Sequence, residues 1–291
     1  MSTKVLTKRQ IKVQSFLKTF YGRGFIVYAS TFVMLVFLFI AIFAPLLSKY
    51  DPNAINLMDS LAQPNSEHIF GCDLHGRDVF TRIMYGARIS IVVSVLSCIV
   101  GSVVGMVLGL IAGYRQGVVG SLIMRYVDLQ LAIPPMLFTI IIGMIAGHSI
   151  FGMVFAISFG MLPGFIRLMY GQVLSLKQND YITALKFADV PTWKIIFKHL
   201  LPNAFPTMLV NFTMNLGSSI MLESTLSFLG IGIQQPTASW GSMVSDGYAY
   251  IFLRPALAFV PGVCILLLVL ALNILGDSLR DAIDPRLKGK L

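Results

Sequence analysis

Runs of residues without one charged side chain recur along this sequence and constrain its fold more than any other feature. Three of them cover residues 24–48, 89–114 and 129–166. A membrane-crossing helix needs about 20 apolar residues, and each of these runs is longer. Only 12% of the residues are charged, whereas a soluble domain has about 25%. The sequence therefore excludes a soluble enzyme, a disordered chain and a secreted disulfide scaffold, and it predicts an all-α integral membrane protein.

The polar segments between the apolar runs predict six transmembrane helices. A single helix over residues 129–166 would be far longer than one bilayer crossing, so this run must hold two helices that break at 147–149. Pro134 and Pro135 should kink the first of these two helices. The predicted crossings cover residues 24–47, 89–114, 122–146, 150–168, 202–228 and 255–275.

The distribution of basic residues predicts the orientation in the membrane. Seventeen of the 22 Lys and Arg residues lie in 1–23, 115–125, 167–198 and 277–291, and five lie in 49–88 or at position 254. Cytoplasmic segments of membrane proteins carry the excess of Lys and Arg. Both termini are therefore predicted to be cytoplasmic, and loop 48–88 to be extracytoplasmic. The same rule accounts for the net charge of +9, so no nucleic-acid partner is predicted.

A stripe of glycines marks the second predicted helix, where every fourth residue from 101 to 113 is Gly. This spacing places the four glycines on one helix face. Small residues at such spacing let two membrane helices approach closely. The second helix is therefore predicted to pack against another helix along its glycine face.

Three classes of membrane protein remain: an enzyme, a self-powered carrier and one subunit of a pump. For an enzyme, no nucleophile–base set has suitable spacing, and His68, Cys72, Asp73 and His75 fit a polar turn better than a metal site. The three cysteines include no CxxC pair, so no disulfide framework or zinc motif is predicted. The phosphate loop GxxxxGK(S/T) does not occur either. The sequence thus predicts no ATP site, no cofactor and no catalytic residue.

A carrier driven by an ion gradient should have ionisable groups near the bilayer midplane. Only Asp128 and Glu223 come close to that position. Asp128 follows Arg125 by three residues, and an ion pair on one helix face accounts for both. Glu223 either faces an interior cavity or reaches water at the outer end of the fifth helix. These three are candidate pathway or structural residues, and a self-powered carrier is the weaker interpretation.

Four stretches resemble segments of one known family. They are residues 70–92 (FGCDLHGRDVFTRIMYGARISIV), 125–138 (RYVDLQLAIPPMLF), 222–242 (LESTLSFLGIGIQQPTASWGS) and 275–287 (LGDSLRDAIDPRL). In collinear order, they resemble the C-type permease subunits of bacterial dipeptide, oligopeptide and nickel ABC importers.

The resemblance implies a type I ABC importer permease fold in the bacterial inner membrane. Residues 89–276 would form a permease core with five helices, preceded by the basic tail 1–23 and the first helix 24–47, and followed by the cytoplasmic tail 277–291. The chain would pair with a second permease to form the translocation path. Two ATPase subunits would dock below, and an extracytoplasmic binding protein would deliver substrate from above.

The resemblance also implies a cytoplasmic coupling loop at 170–200. In the family, this loop contains an acidic residue, two alanines and a glycine. The corresponding residues here are Thr183, Ala184, Leu185 and Asp189. Three of the four signature positions therefore depart from the family, so the resemblance implies the architecture but not the details of coupling.

The residues of this loop also predict an amphipathic helix by themselves. Tyr181, Ala184, Leu185 and Ala188 recur at three- and four-residue spacing, which places them on one apolar stripe. Asp180 is expected to be the N-cap. The stripe is predicted to dock into a groove of an ATPase subunit, and the alternative is a helix that lies on the lipid surface.

The substrate is left between two classes. Dipeptides or oligopeptides are the leading class by their frequency in the resembled family, and nickel or a metal chelate is the alternative. In such importers the binding protein does most of the selecting, so the permease residues say little about the substrate.

Overall fold

Helices make up nearly all the regular structure of this chain. The computed structural model describes residues 16–17 and 19–283, and within these the only β-type pairing is an isolated bridge between Cys72 and Asp78. The principal helices are α1 (Phe25–Leu47), α2 (Val79–Arg115), α3 (Gly117–Leu131), α4 (Pro135–Ala146), α5 (Ile150–Lys177), α6 (Asp180–Phe187), α7 (Leu201–Phe228), α8 (Trp240–Tyr248) and α9 (Ala256–Ile283). Most of the predicted basic tail and the end of the C-terminal tail lie outside the described residues.

Four helices, α1, α2, α5 and α9, are long and apolar enough to cross a membrane, and α3 with α4 qualifies as one broken span. The helix α7 has 28 residues but does not qualify by composition. Its asparagine, serine and threonine content makes it more polar than a helix surrounded by lipid. The number of six crossings and the cytoplasmic position of the termini therefore stay predictions.

The helix α2 begins at Val79, earlier than the charge-free run that starts at residue 89. Its N-cap is Asp78, whose carboxylate accepts a hydrogen bond from the Thr81 backbone amide at 2.7 Å. The sequence prediction stopped short because Arg82 and Arg88 interrupt the apolar run. Arg82 is tolerated in the helix because other parts of the protein bind its guanidinium, as described below.

The glycine face of α2 packs against α5, as the sequence predicts. A Cβ atom added to Gly109 would lie 2.7 Å from the Met169 Cβ, and one added to Gly113 would lie 2.8 Å from the Val173 Cβ. Real Cβ atoms do not approach so closely, so the two helices touch because glycine leaves room for the neighbouring backbone.

The third predicted crossing is broken rather than merely kinked. The helices α3 and α4 meet at an angle of 96°, with Pro134 at the N-cap of α4 and Pro135 at its first turn. Proline lacks an amide donor and disfavours helical geometry in the residue before it, so the pair ends one helix and begins another. The predicted break before α5 is also present, with Gly147 at φ 80° and the Ser149 hydroxyl capping α5.

The short helix α8 is anchored to α2 by Trp240. The indole is fully buried, and its Nε1 donates to the Ile83 carbonyl oxygen at 3.0 Å. A Cβ on Gly86 would lie 2.9 Å from the indole Cδ1, so only glycine fits beneath this ring. The contact holds the loop between α7 and α9 against the start of α2.

Candidate functional site

The segment between α5 and α7 buries one side and exposes aromatic rings on the other. Ile182 of α6 is fully buried, and Leu185 packs beside it. Both belong to a cluster with Ile195 and Leu200, the first and last residues of a π-helical segment, Ile195–Leu200, that directly precedes α7. The spacing of Ile182 and Leu185 places both on the inner face of α6. This inner face fixes the segment to the ends of α5 and α7.

Three large rings of the same segment are mostly exposed. The exposed fractions are 86% for Phe187, 60% for Trp193 and 63% for Phe197. Tyr181 is also exposed, and its ring lies 6.4 Å from that of His199. Large exposed apolar side chains within one short segment are candidates for an interaction site. We name Tyr181, Phe187, Trp193 and Phe197 the aromatic surface.

The predicted apolar stripe of α6 is divided between these two sides. Tyr181, Ala184 and Ala188 are exposed, whereas Leu185 turns inward. Thr183 and Asp189 are exposed as well. The sequence reasoning missed Ile182 as the inner residue, although its spacing from Leu185 carried the signal. It also missed Phe187, Trp193 and Phe197, because periodicity alone does not say which face the protein covers.

The ends of α6 differ in part from the expectation. The N-cap is Asn179, without a side-chain capping bond, and Asp180 is the first helical residue, so the prediction of Asp180 as N-cap is wrong. Asn179 takes the extended backbone of a cap. The Asp180 carboxylate instead lies in the first turn, where a negative charge interacts favourably with the helix dipole.

Asp189 ends α6 in the left-handed conformation that glycine adopts freely. Its φ is 50°, its amide donates to the Lys186 carbonyl at 3.2 Å, and the Val190 amide donates to the Leu185 carbonyl at 3.1 Å. These two bonds form a Schellman motif with Asp189 at its C′ position. The chain keeps the expected turn without the expected glycine.

Lys177, the last residue of α5, contacts the C-terminal end of α2. Its Nζ donates to the carbonyl oxygens of Gly113 at 3.2 Å and Tyr114 at 2.9 Å, which caps the C-terminal end of α2 with a positive charge. The Tyr114 hydroxyl lies 3.5 Å from the Thr192 hydroxyl. Polar contacts therefore join the end of α2 to the end of α5 and to Thr192, which precedes the π-helical segment.

Asp128 pairs with Arg167 of α5 rather than with Arg125, so the predicted ion pair within α3 is wrong. The Asp128 side chain faces α5, and Arg125 points to solvent, so the i,i+3 spacing does not bring the two charges together. Both partners of the observed pair are about half exposed. Such a pair contributes little to stability, but it links the broken third crossing to α5.

Glu223 lies in the protein interior, fully buried in α7. Its carboxylate accepts hydrogen bonds from the hydroxyls of Ser227 at 2.9 Å and Ser224 at 3.4 Å. The prediction that Glu223 reaches water at the outer end of the helix is therefore wrong. The Ser227 hydroxyl also accepts from the Ile233 amide at 3.3 Å, so Glu223 stabilises the turn that follows α7.

Four polar residues form a stripe along one side of α7, and the rest of the described chain covers this side only in part. Thr207, Asn211, Asn215 and Ser218 recur at helical spacing, and all four are at least partly exposed. The Asn215 side-chain amide donates to the Asn211 carbonyl at 2.7 Å. Polar groups facing lipid are costly, so this side of α7 requires water or another protein. We call these four residues the α7 polar stripe.

The outer loop contains the histidine, cysteine and aspartate residues that the sequence analysis considered as metal ligands. His68 Nδ1 lies 2.9 Å from Asp78 Oδ1, and Asp73 accepts from Arg77 Nε at 2.7 Å. Cys72 is fully buried, and burial raises the pKa of its thiol to about 11. Within residues 16–17 and 19–283, no three His, Cys, Asp or Glu side chains are arranged to hold a metal ion. These contacts build the loop around the N-cap of α2.

Two parts of the sequence match known protein families. Residues 105–289 match the family described as "binding-protein-dependent transport system inner membrane component". The chain belongs to this family. Residues 26–64 match the N-terminal transmembrane domain of oligopeptide transport permease C, which confirms the predicted resemblance to C-type permeases. The all-α membrane fold of this permease family is confirmed with it.

Individual relatives are similar over most of their length. The chain is 41% identical over 252 residues to the dipeptide transport system permease protein DppC of Alkalihalophilus pseudofirmus, which covers 87% of this chain and 83% of the relative. It is 39% identical over 262 residues to the glutathione transport system permease protein GsiD of Escherichia coli O157:H7, with 90% and 86% covered. It is 35% identical over 261 residues to the probable D,D-dipeptide transport system permease protein DdpC of Escherichia coli K12, with 90% and 88% covered. These relatives are transport permeases rather than enzymes.

Proposed function

We propose that this chain forms half of the translocation path of an ABC importer for peptides. The observation that carries the proposal is the α7 polar stripe, which no described residue covers fully. A second, related permease packed against this side would enclose a polar path between the two chains. The relatives named for dipeptide and glutathione transport favour peptides over nickel or a metal chelate.

ATP would act on this chain through the aromatic surface. Two ATPase subunits serve the complex, and one of them receives Tyr181, Phe187, Trp193 and Phe197 in an apolar groove. Closure of the ATPases pulls on α6 and the π-helical segment, and Lys177 passes this movement to the end of α2. The two permeases then shift between inward and outward access because ATP binding favours one state.

The chain itself performs no chemistry in this proposal. An extracytoplasmic binding protein delivers the peptide to the outer side in the bacterial inner membrane, and the ATPases supply the energy. A self-powered carrier would need ionisable groups open to the path, whereas Glu223 is enclosed by serine hydroxyls. No observation favours a membrane enzyme.

Reconstitution in proteoliposomes tests the function. We expect ATP-driven uptake of a radiolabelled dipeptide when this chain is combined with its second permease, the ATPases and the binding protein. Omission of this chain alone should abolish uptake. Uptake by this chain alone, or uptake by the other components without it, would contradict the proposal.

A further inference from the structure

A cavity of about 270 Å³ lies on the predicted extracytoplasmic side. Its walls come from the outer loop, the first turn of α2, and the segment from Gln235 to Tyr250 that includes α8. Polar residues on its walls include Asp73, His75, Arg77, Arg82, Gln235 and Asp246. Ligand sites for larger molecules begin at about 300 Å³, so this cavity suits a small ligand.

Arg82 on the cavity wall is fully buried but incompletely bonded. Its Nη1 donates to the carbonyl oxygens of Pro52 at 2.8 Å and Pro236 at 3.3 Å, and its Nε lies 3.6 Å from Asp73 Oδ2. Its Nη2 is buried and has no hydrogen-bond partner among the described residues. A buried guanidinium donor without an acceptor is unfavourable, so this nitrogen is suited to an acceptor from a ligand.

The positive charge of Arg82 is only partly compensated. Asp73 also accepts from Arg77 Nε at 2.7 Å, so two guanidinium groups share one carboxylate. A second buried nitrogen on the same wall, His75 Nδ1, likewise has no partner in the described part of the chain. The partly compensated guanidinium favours an anionic group at this end of the cavity, because a carboxylate accepts well from a guanidinium.

Asp246 gives the cavity a negative group. Its Oδ2 accepts from Gln235 Nε2 at 2.8 Å, and its charge also interacts with those of Arg82 and Arg77 across the cavity. The apolar side chains of Val79, Met243 and Leu257 line the same space. The cavity therefore offers a guanidinium, a separate carboxylate and an apolar wall.

We propose that this cavity binds a dipeptide, with Arg82 holding its terminal carboxylate and Asp246 its α-ammonium group. The apolar wall accommodates a side chain of the peptide. This inference rests on the proposed function for its substrate class and adds a binding site for that substrate on the outer side of the permease. The volume suits a dipeptide and excludes a long oligopeptide as the complete occupant.

Binding to the purified full chain in lipid nanodiscs tests the proposal. Isothermal titration with alanyl-alanine should give saturable binding, and both its C-terminal amide and its N-acetyl form should bind about tenfold more weakly, because each lacks one charged end. No binding of alanyl-alanine, or equal binding of the amide, would overturn the proposal.

Two variants compare the loss of a carboxylate inside the cavity with the loss of one elsewhere on the outer side. Asp246→Asn changes an exposed side chain and should weaken alanyl-alanine binding about tenfold, with folding checked by thermal unfolding. Glu67→Gln removes an exposed carboxylate outside the cavity and should leave binding unchanged. Equal binding by Asp246→Asn and the unaltered chain would overturn the assignment of the ammonium site.

Uptake by the assembled complex distinguishes a failure of the cavity proposal from a failure of the proposed transport function. If the complex imports dipeptides but this chain does not bind alanyl-alanine, the cavity is refuted and the transport function stands. If the chain binds alanyl-alanine but the complex imports no peptide, the cavity stands and the proposed substrate is refuted.

Discussion

The Lys177 ammonium group donates to the Tyr114 carbonyl oxygen at 2.9 Å and thereby ties the end of α5 to the end of α2. Tyr114 in turn contacts Thr192, three residues before the π-helical segment. The segment between α5 and α7 therefore connects to both helices that meet along the glycine face. In the proposed mechanism, movement of this segment would reach α2 and α5 through these contacts.

Replacement of Lys177 tests this connection. Lys177→Met keeps much of the side-chain volume but removes the cap on α2, so the dipeptide imported per ATP hydrolysed should fall about threefold or more. Both rates are measured in proteoliposomes. Lys49→Met, which changes an exposed lysine in the outer loop, should leave the ratio unchanged. An unaltered ratio in Lys177→Met would show that this contact does not transmit coupling.

Phe187 tests the docking of the aromatic surface. Phe187→Glu places a charge on an exposed side chain, so the fold should persist while affinity for the ATPase subunits falls about tenfold or more. Leu185→Glu is the matched control, because it buries the charge and should lower thermal stability instead. Co-purification and thermal unfolding separate the two effects. Full ATPase binding by Phe187→Glu would refute the docking surface.

Asp189 tests the turn at the end of α6. Asp189→Gly removes the cost of a left-handed conformation and should stabilise the protein by up to about 1 kcal/mol. Asp189→Ala keeps that cost and should show no gain. Thermal unfolding in detergent measures both. A lower stability for Asp189→Gly would mean that the aspartate side chain contributes more than its backbone costs.

Cysteine labelling tests the orientation. Cys72 is fully buried, with its thiol pKa raised to about 11, and should stay unlabelled near neutral pH because it is inaccessible and protonated. With Cys98 and Cys264 replaced by serine, Ala54→Cys in the outer loop should react with an impermeant maleimide in intact cells. Ala184→Cys on α6 should react only after the membrane is opened. Labelling of Ala184→Cys in intact cells would reverse the predicted topology.

The sequence predicted the fold best in the segments where contact with lipid restricts the residue types. Apolar runs predicted the positions of most long helices, and the spacing from Gly101 to Gly113 predicted the contact of α2 with another helix. The start of α2 was missed because Arg82 looks incompatible with a buried helix until Pro52 and Pro236 supply its acceptors. Such acceptors are distant in sequence and leave no local pattern.

Local spacing was least informative for the candidate site. The i,i+3 relation of Arg125 and Asp128 suggested a pair, but the real partner Arg167 lies on another helix. The period of α6 was correct, yet only the packing against Ile195 and Leu200 decides that Leu185 faces inward. The outer cavity was not predictable because residues near 82 and near 246 meet only in the folded chain.

Accessibility of Asn215 tests most directly the central claim that this chain forms half of a polar path. Asn215→Cys in the assembled complex, with the native cysteines replaced by serine, should react with a small, charged thiol reagent, and the reaction should block ATP-driven dipeptide uptake. Leu270→Cys on the exposed apolar side of α9 should not react with the same reagent, because lipid excludes charged molecules. An unreactive Asn215→Cys, or one whose labelling leaves uptake unchanged, would contradict the account.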